Sequence, residues 1–470
     1  MEEKHTTKNT GAEIHGLVDL RTACSTHLGT AMHQISVVSE LPKPTAYSNQ
    51  QYFTQEEWDA FRFAEQRDTT WWLDAKLGLF IHWGPCSVIG TEIGWSRGGP
   101  RGPEQHGNQV PVEIYDQLYH YFDPQRFDAD EWVRMARDMG AGYIVLITKH
   151  HDGFCLWNTK TTDYNIMNTP FGRDVTKELS EACARADMPF GVYFSQRDWY
   201  HPAYFKENHQ EYVDYMREQV RELLTGYGKV RVLWLDAWYP SVFEAEHWDS
   251  AGLCEMAREL QPGILINNRT SLPGDYDTPE GVIGSYQVHR PWETATSIHD
   301  GWSWNSRSHR TVKSLRDNIA LLAGCAVGGG NLIYNAGPMA NGRFEDTHIA
   351  AFHELGEWLR TYGESIYGTR GGPFPADKWG GFTVKGDTVY VHILYPQQCG
   401  CMRIFLPQLD VSPIDCQVLT EGEAHLEKAD RGWTLTIGNP DPNDMIVRIR
   451  YDGPVPFVQP DPKKPTYLLS

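Results

Sequence analysis

The chain has 470 residues, enough for two or three domains, and its 40% hydrophobic content, with 17 Trp and 23 Tyr, allows a large core. Its formal net charge of −19 argues against a nucleic-acid partner and against an anionic membrane surface, and no apolar run approaches the ~20 residues that span a bilayer. Its nine cysteines are scattered and include no CxxC pair, so neither a disulfide framework nor a zinc site is indicated.

Residues 1–50 are polar and mixed, show no sustained period and end in the breaker Leu41-Pro42-Lys43-Pro44. We expect an N-terminal extension here. Residues 1–25 contain no basic segment followed by an apolar stretch, so no signal peptide is predicted. The expected location is therefore cytoplasmic, or periplasmic or secreted if an export signal is missing from this sequence.

A strand–helix rhythm predicts a catalytic barrel over residues 51–370. Repeated βα units imply parallel strands with right-handed crossovers, which an open doubly wound sheet and a closed barrel both satisfy. No glycine-rich nucleotide motif follows any of these strands, and about 300 residues of βα repeats favour a (β/α)8-like TIM barrel. The predicted strands are 79–81, 143–148, 190–195, 230–236, 264–267 and 331–335, and the predicted helices are 128–139, 176–186, 211–224 and 251–260.

Short alternating runs separated by turn residues replace this rhythm after residue 370. They predict a small antiparallel β-sandwich over 371–470, with the strands themselves within about 90 residues. We expect this domain to support the barrel and to supply no catalytic carboxylate. The predicted strands are 382–384, 388–394, 402–406, 433–437 and 445–451.

Polar and aromatic side chains follow five successive barrel strands. Because the carboxyl ends of barrel strands meet at one face, these groups are expected to line one pocket. Asp236 is the strongest candidate, since no cap or turn explains a carboxylate at the end of Val-Leu-Trp-Leu. The strand-end groups are His82 and Trp83, then Lys149 to Asp152, then Tyr193 with Arg197, Asp198 and Trp199, then Trp234 and Asp236, and finally Asn267, Asn268 and Arg269.

The run His150-His151-Asp152 raises the alternative of a metal-dependent hydrolase. Adjacent residues of an extended chain point to opposite sides, so two neighbouring histidines rarely bind one ion. Only His82 and Asp236 offer further ligands at other strand ends. The sequence therefore favours a site without metal or other cofactor, in which one or both imidazoles hydrogen-bond substrate hydroxyls.

A pocket of this composition points to glycoside hydrolysis, which needs two carboxyl groups beside the glycosidic bond. Asp236 supplies one, and Glu280 or Glu293 in the later aromatic-rich stretch supplies the other. An acid/base needs a raised pKa, which an apolar setting provides. Trp292 precedes Glu293, and two more tryptophans follow it, so the prediction favours Glu293 and keeps Glu280 as the alternative.

Six motifs in order over about residues 68–370 resemble the family 29 glycoside hydrolases, the retaining α-L-fucosidases. That resemblance implies a (β/α)8-like barrel followed by a β-sandwich. It also implies exo-acting release of terminal α-L-fucose from a fucosylated oligosaccharide or glycoconjugate, through a covalent glycosyl-enzyme. The motifs are Ala75 to Gly84, Lys149 to Phe154, Gly191 to Ser195, Trp234 to Asp236, Asn335 to Pro338 with Asn341 and Gly342, and Gly363 to Gly368.

The resemblance also assigns roles to single residues. Asp236 resembles the family nucleophile, Glu293 resembles the acid/base of one branch, and Glu280 lies in a neighbouring Thr-Pro-Glu pattern that also reaches the site. Glu92 and Trp95 resemble the family's Glu-Trp pair, although two residues separate them here. The residues that resemble the fucose pocket are His82, His150, His151, Tyr193, Trp234 and Arg269.

Three departures bear on the substrate. Ala237 replaces the usual Gly after the nucleophile, Gly301 to Trp304 replace a Ser-Trp-Gly-Tyr type segment, and the loop 92–110 is unlike the common form. They leave two alternatives, the same mechanism on a related sugar such as α-L-galactose, and a catalytically inactive glycan-binding protein. The sequence also leaves open a homo-oligomer.

Overall fold

The structure is a computed structural model that describes residues 53–237, 244–284 and 286–465. The extension expected over 1–50 lies outside these residues. No described helix combines the length and the apolar character that crossing a membrane requires.

A seven-stranded parallel sheet in the order β7-β6-β5-β4-β1-β9-β8 curls into a TIM-like barrel, as predicted. A separate antiparallel hairpin, β2–β3, leaves the barrel after β1. The barrel strands are buried along almost their whole length, as expected for parallel strands covered by helices. Among the described residues, the strands of the barrel and the hairpin are β1 Leu77–Ile81, β2 Gly99–Arg101, β3 Glu104–Gly107, β4 Tyr143–Lys149, β5 Phe190–Ser195, β6 Val230–Asp236, β7 Leu265–Ile266, β8 Glu293–Ser297 and β9 Asn331–Ala336.

An irregular segment, residues 276–280, lies between the edge strands β7 and β8. Its first residue, Tyr276, bridges Asn267 just after β7, and its last, Glu280, bridges Ala295 in β8. Both bridges are parallel, so the segment runs in the same direction as the strands. It takes the place of an eighth strand, and Glu280 stands at its carboxyl end.

Helices surround the barrel. The sequence explains α4 well, because Asp128 caps it by accepting a hydrogen bond from the Glu131 amide at 3.0 Å, and its apolar face is buried. The helix predictions differ from the structure by one or two residues at their ends. The helices are α1 Gln55–Ala60, α2 Gln66–Ala75, α3 Val112–Tyr115, α4 Ala129–Asp138, α5 Val175–Arg185, α6 His209–Gly226, α7 Ser250–Leu260, α8 Leu315–Gly328 and α9 Asp346–Tyr362.

Two antiparallel sheets follow the barrel and pack as a sandwich, in the orders β10-β11-β12-β17-β14 and β13-β16-β15. Their own apolar cluster includes Phe382, Val391, Leu435 and Val447. The boundary at residue 370 stays a prediction. The strands are β10 Arg370–Gly371, β11 Gly380–Lys385, β12 Thr388–Ile393, β13 Arg403–Pro407, β14 Pro413–Val418, β15 Glu423–Ala429, β16 Gly432–Gly438 and β17 Met445–Tyr451.

Helix α8 joins the barrel to the sandwich. It is apolar on almost every side and buried along most of its length, because β9 covers one side of it and β10 and β11 cover another. Gly381 in β11 permits the close approach, since a Cβ there would lie 3.1 Å from the Cβ of Val327.

Candidate active site

The carboxyl ends of the barrel strands meet around Asp236, the last residue of β6. One oxygen, Oδ2, accepts a hydrogen bond from the Tyr193 hydroxyl at 2.8 Å and lies 3.8 Å from His151 Nε2. The other, Oδ1, lies 3.4 Å from Arg269 Nη1. The carboxylate is 14% exposed, so it faces an opening while three polar side chains fix its direction.

Asn267 explains why Asp236 is held so firmly. Its side-chain amide accepts from the Leu235 N–H at 2.9 Å and donates to the Leu235 carbonyl at 3.0 Å, so it pairs with the backbone beside Asp236. The Ala237 N–H then donates to the Arg269 carbonyl at 3.1 Å. The Asn267 side chain therefore continues the pairing between β6 and β7 beyond the end of the short strand β7, beside Asp236.

His151 presents an unprotonated nitrogen to the site. The Ser195 hydroxyl donates to the Arg197 carbonyl at 2.8 Å, so it accepts from His151 Nδ1 at 2.6 Å, and the proton of the neutral ring lies on Nδ1. Nε2 then faces Asp236 as an acceptor. A substrate hydroxyl placed between these two groups could donate to either of them.

His82 is oriented in the same way by Asn335 at the end of β9. The Asn335 amide nitrogen donates to the Trp302 carbonyl at 2.7 Å and to the Ser297 hydroxyl, so its oxygen accepts from His82 Nδ1 at 2.6 Å. Nε2 of His82 is therefore also an acceptor. Asn335 lies in a motif that the sequence singled out, but its orienting role could not be read from the motif.

His150 completes the group of imidazoles. Its ring stacks on Tyr193 with centroids 5.7 Å apart, and its Nδ1 is buried without a partner among the described residues. Burial, with Arg197 nearby, lowers the pKa of His150 to about 3, and burial holds the pKa values of His82 and His151 well below their usual range. All three rings are neutral at physiological pH.

Aromatic rings form the floor and one wall of the site. The indole of Trp234 lies under it, stacked on Tyr193 with centroids 5.4 Å apart and covered by the Arg269 guanidinium at 4.7 Å. Trp302 forms a wall beside His82, with ring centroids 4.9 Å apart. The sequence placed Trp302 in an aromatic-rich stretch without assigning it to the pocket, because a position in an irregular loop carries no periodicity.

The irregular segment 276–280 between β7 and β8 brings Glu280 to this group of side chains. Arg269 Nη2 donates to Glu280 Oε2 at 2.6 Å while Nη1 of the same guanidinium contacts Asp236. One planar guanidinium therefore spans both carboxylates. The Glu280 side chain is 28% exposed, so it faces solvent as well as the site.

Glu293 lies elsewhere, at the amino end of β8 opposite Asn331, the first residue of β9. It is fully buried, and its carboxylate accepts from the indoles of Trp72 and Trp234 at 3.2 and 3.3 Å and from the Tyr143 hydroxyl. Trp234 separates it from the pocket. The expected placement of Glu293 beside the glycosidic bond does not agree with this geometry, because the first residue of a barrel strand lies at the opposite end from the site.

The apolar setting predicted for Glu293 is real nevertheless. Burial raises its pKa to about 7. Gly78 makes room for the arrangement, since a Cβ there would lie 2.3 Å from the Tyr143 ring. The sequence therefore indicates the apolar environment of Glu293, but not the side of the Trp234 indole on which the Glu293 carboxylate lies.

Glu92 and Trp95 both lie in the loop after β1. The Glu92 carboxylate accepts from the backbone amides of Trp302 and Ser303 at 2.9–3.1 Å, so it fixes the turn that carries the Trp302 wall. Trp95 is 37% exposed and stands edge-on to His151 with centroids 5.0 Å apart. Direct contact of either residue with a ligand stays a prediction.

The residues after β5 hold the scaffold rather than the pocket centre. Asp198 forms a buried ion pair with Lys149 at 3.1 Å, and Arg197 pairs with Glu104 at 3.0 Å. Over the described ranges, no group of three or more His, Cys, Asp or Glu side chains is arranged to hold a metal ion. The absence of a metal requirement stays a prediction, which chelation tests.

Comparison with known proteins gives one consistent family. The family model described as alpha-L-fucosidase matches residues 43–364. Among curated proteins, the chain is 27% identical over 414 residues to a plasma alpha-L-fucosidase of Rattus norvegicus, covering 81% of this chain and 86% of the relative.

Solved structures agree. An alpha-L-fucosidase isoenzyme 1 from Paenibacillus thiaminolyticus superimposes with a TM-score of 0.70 at 30% identity, over 82% of this chain and 99% of that one. An alpha-L-fucosidase from Bacteroides thetaiotaomicron, described as a trapped covalent intermediate in complex with 2-fluoro-fucosyl fluoride, gives a TM-score of 0.71 at 24% identity, over 88% of this chain and 100% of that one.

Proposed function

The chain belongs to the α-L-fucosidase family, and we propose that Asp236 and Glu280 are the two carboxyl groups with which it releases terminal α-L-fucose from fucosylated glycans. It is a retaining exo-glycosidase that acts by double displacement. The trapped covalent intermediate of the Bacteroides thetaiotaomicron relative supports that mechanism. The proposal takes Glu280, the alternative in the sequence analysis, as the acid/base in place of Glu293.

The observation that carries the assignment is the guanidinium shared by the two carboxylates. Arg269 contacts Asp236 and Glu280 with its two terminal nitrogens, at 3.4 and 2.6 Å. Retaining glycosidases need their carboxyl groups about 5–5.5 Å apart, and a bridging guanidinium is compatible with such a spacing. Glu293 instead accepts a hydrogen bond from the Trp234 indole, which lies beneath the pocket.

In the first step the Asp236 carboxylate attacks the anomeric carbon of the fucosyl unit. Glu280, in its acid form, gives its proton to the departing glycosidic oxygen, so the aglycone leaves as a neutral alcohol. The Tyr193 hydroxyl and the Arg269 guanidinium hold the Asp236 oxygens in place during the attack. The product is a β-linked fucosyl ester of Asp236.

In the second step water replaces the aglycone. The Glu280 carboxylate takes a proton from this water, which attacks the anomeric carbon from the face that the leaving group vacated. The Asp236 ester is cleaved and α-L-fucose is released with net retention. The partial exposure of Glu280 supports this role, since water must reach it in every turnover.

The imidazoles support recognition of a hydroxyl-rich ligand. His82 and His151 each direct an acceptor nitrogen into the pocket, because Asn335 and Ser195 hold the proton on the other nitrogen. Acceptors of this kind bind hydroxyl protons at any pH at which the rings stay neutral. We assign His82, His150, His151, Tyr193, Trp234 and Arg269 to the fucose pocket, with Glu92 and Trp95 at its edge.

A panel of aryl glycosides tests the function directly. We expect turnover of an aryl α-L-fucoside, with α-L-fucose as the first product seen by NMR before mutarotation. A first product of β configuration would refute double displacement. Faster turnover of the matched α-L-galactoside would identify L-galactose as the preferred sugar, and binding without turnover of either would indicate a glycan-binding protein.

A further inference from the structure

The hairpin β2–β3 forms a second wall beside the pocket, and one carboxylate attaches it to the loop after β5. Glu104 Oε1 accepts from Arg197 Nη1 at 3.0 Å, and Glu104 Oε2 accepts from the Trp199 indole at 3.0 Å. Both oxygens are therefore occupied. The hairpin lies within residues 92–110, which the sequence marked as unlike the common form of the family, and the proposed mechanism uses none of the hairpin residues.

Arg101, the last residue of β2, is held flat against the aromatic wall. Its Cζ lies 4.4 Å from the centre of the Trp199 ring and 5.8 Å from that of Trp95. Its Nη2 donates to the carbonyls of Trp95 and Arg97 at 2.6 and 2.9 Å. Gly107 is required for this position, because a Cβ there would lie 2.3 Å from Arg101 Nη2. The hairpin is thus shaped around a fixed guanidinium.

Within the described ranges, no carboxylate forms an ion pair with this guanidinium. Arg97 nearby makes a bidentate pair with Asp116 at 2.6 and 2.7 Å, and Arg197 pairs with Glu104. Arg101 has no carboxylate within 4 Å among the residues that the structure describes, and its contacts there are carbonyls and rings. In a chain of net charge −19, this guanidinium is a fixed positive group whose described contacts leave its charge without a bonded carboxylate.

Its location relates it to the reaction. A series of contacts leads from Asp236 to Arg101. His151 Nε2 lies 3.8 Å from the Asp236 carboxylate, the ring centroids of His151 and Trp95 are 5.0 Å apart, and the Arg101 guanidinium borders the Trp95 ring. The partly exposed Trp95 offers an apolar face on which a pyranose ring can stack. These contacts place the cation at the edge of the pocket, on the side where Trp95 stands.

We propose that Arg101 is a specificity residue that binds an anionic group, a sulfate ester or a carboxylate, on the sugar that carries the fucose. The proposal rests on the proposed function, because it needs the fucosyl unit bound above Asp236. A guanidinium binds both groups by charge-assisted hydrogen bonds, and stacking on Trp199 keeps it directed without the entropy cost of ordering a free side chain. The preferred substrates are then acidic fucosylated glycans.

The experiment compares fucosyl disaccharides in neutral, O-sulfated and uronic-acid forms, across the common linkages to the neighbouring sugar. At about 20 mM salt the wild type should have a kcat/KM about tenfold or more higher for at least one anionic form than for its neutral counterpart, as expected for one charge-assisted contact. About 500 mM salt should reduce this ratio. Preference for only the sulfated or only the uronic form identifies which group is bound.

Variants locate the effect. Arg101→Gln should lower the anionic-to-neutral ratio to about one, and Arg101→Lys should keep part of it, because the charge remains while the fork and the stacking are lost. Both should hydrolyse a small aryl α-L-fucoside within about twofold of the wild-type rate. Arg431→Gln, an exposed arginine of the sandwich, is the matched control and should leave the ratio unchanged.

Three outcomes overturn the proposal: no anionic preference at any linkage, a preference that survives Arg101→Gln, or an equal loss on neutral, anionic and aryl substrates. The last result would show that Arg101 only supports the hairpin. Failure of the wild type to hydrolyse the aryl fucoside would instead refute the proposed function, so the two failures are distinguishable.

Discussion

Replacing Glu280 and Glu293 by Ala, each alone, tests the proposed catalytic pair most sharply. The two glutamates are 13 positions apart in sequence and lie on opposite sides of the Trp234 floor. Both variants should be slow if activity alone is measured, because one removes a catalytic group and the other removes a buried network. The assay must therefore separate chemistry from folding.

The structure sets the expected magnitudes. Loss of a general acid/base costs about 10²–10⁴-fold in rate, so Glu280→Ala should fall in that range on a natural glycan while its melting temperature stays near that of the wild type. Glu293→Ala leaves the donors of Trp72, Tyr143 and Trp234 without an acceptor, at about 1–3 kcal/mol each. The loss of stability should be several kcal/mol, enough to lower the melting temperature by many degrees.

The readout is chemical rescue on an aryl fucoside with a good leaving group. Such a substrate needs no acid to form the glycosyl-enzyme. Glu280→Ala should therefore accumulate this intermediate, because hydrolysis by water is slow without a base. Azide needs no base and can enter the space left by a partly exposed side chain. The product should be α-L-fucosyl azide, because two displacements retain configuration.

Glu293→Ala should show no azide rescue, since its site is closed and lies below the floor. Glu293→Gln is the conservative control: it keeps the shape and one acceptor oxygen, so it should recover stability and activity together. The assignment is refuted if a folded Glu293→Ala protein yields α-L-fucosyl azide and Glu280→Ala does not.

Four further outcomes follow from the geometry. Asp236→Gly should lose activity by orders of magnitude and yield β-L-fucosyl azide from a fucosyl fluoride with azide, because only one displacement remains; near-normal turnover would exclude Asp236 as nucleophile. Asn335→Ala removes the acceptor that keeps the His82 proton on Nδ1. KM for the aryl fucoside should therefore rise several-fold with a smaller change in kcat, and an unchanged KM would show that this orientation of His82 is unimportant. Overnight EDTA should leave activity intact; loss that a specific divalent ion restores would favour a metal enzyme. Burial lowers the pKa values of the stacked pair His299 and His348 to about 4 and about 3. Below about pH 6.5 the unfolded chain therefore binds protons at these two rings while the folded chain does not. The free energy of unfolding should fall by about 1 kcal/mol per ring between about pH 7.5 and about pH 5.5. Asn at either position should lessen this acid-dependent drop in melting temperature, and an unchanged drop would contradict the linkage.

The barrel could be predicted because its strands are apolar runs between capped helices. The predicted β6 ends at the same residue as the observed strand, so the position of Asp236 at its carboxyl end could be predicted as well. Strand β8 was not predicted, since its sequence Glu-Thr-Ala-Thr-Ser shows no apolar run. Glu293 and Ser297 of this strand hydrogen-bond side chains from distant parts of the chain, which no local pattern can indicate.

The sandwich shows the same limit. The interior strands β11, β12 and β17 alternate clearly and were predicted, whereas β14 and β15, at the edges of their sheets, were not. In β15 the exposed positions carry Glu423, His425, Glu427 and Lys428, as is typical of edges protected from further pairing. A polar edge strand cannot be distinguished from a loop by composition.

Glu293 shows why environment alone cannot identify an acid/base. Burial raises the pKa values of both Glu92 and Glu293 to about 7, the property expected of a catalytic acid. Yet Glu92 binds the backbone amides of the Trp302 turn, and Glu293 binds donors beneath the floor. A raised pKa follows from burial whatever the group does, so it marks a dry site and no more. What distinguishes Glu280 is its position at the carboxyl end of the segment that closes the barrel, in contact with the arginine that also contacts Asp236. That position depends on the path of an irregular segment between β7 and β8, and this path only the folded chain reveals.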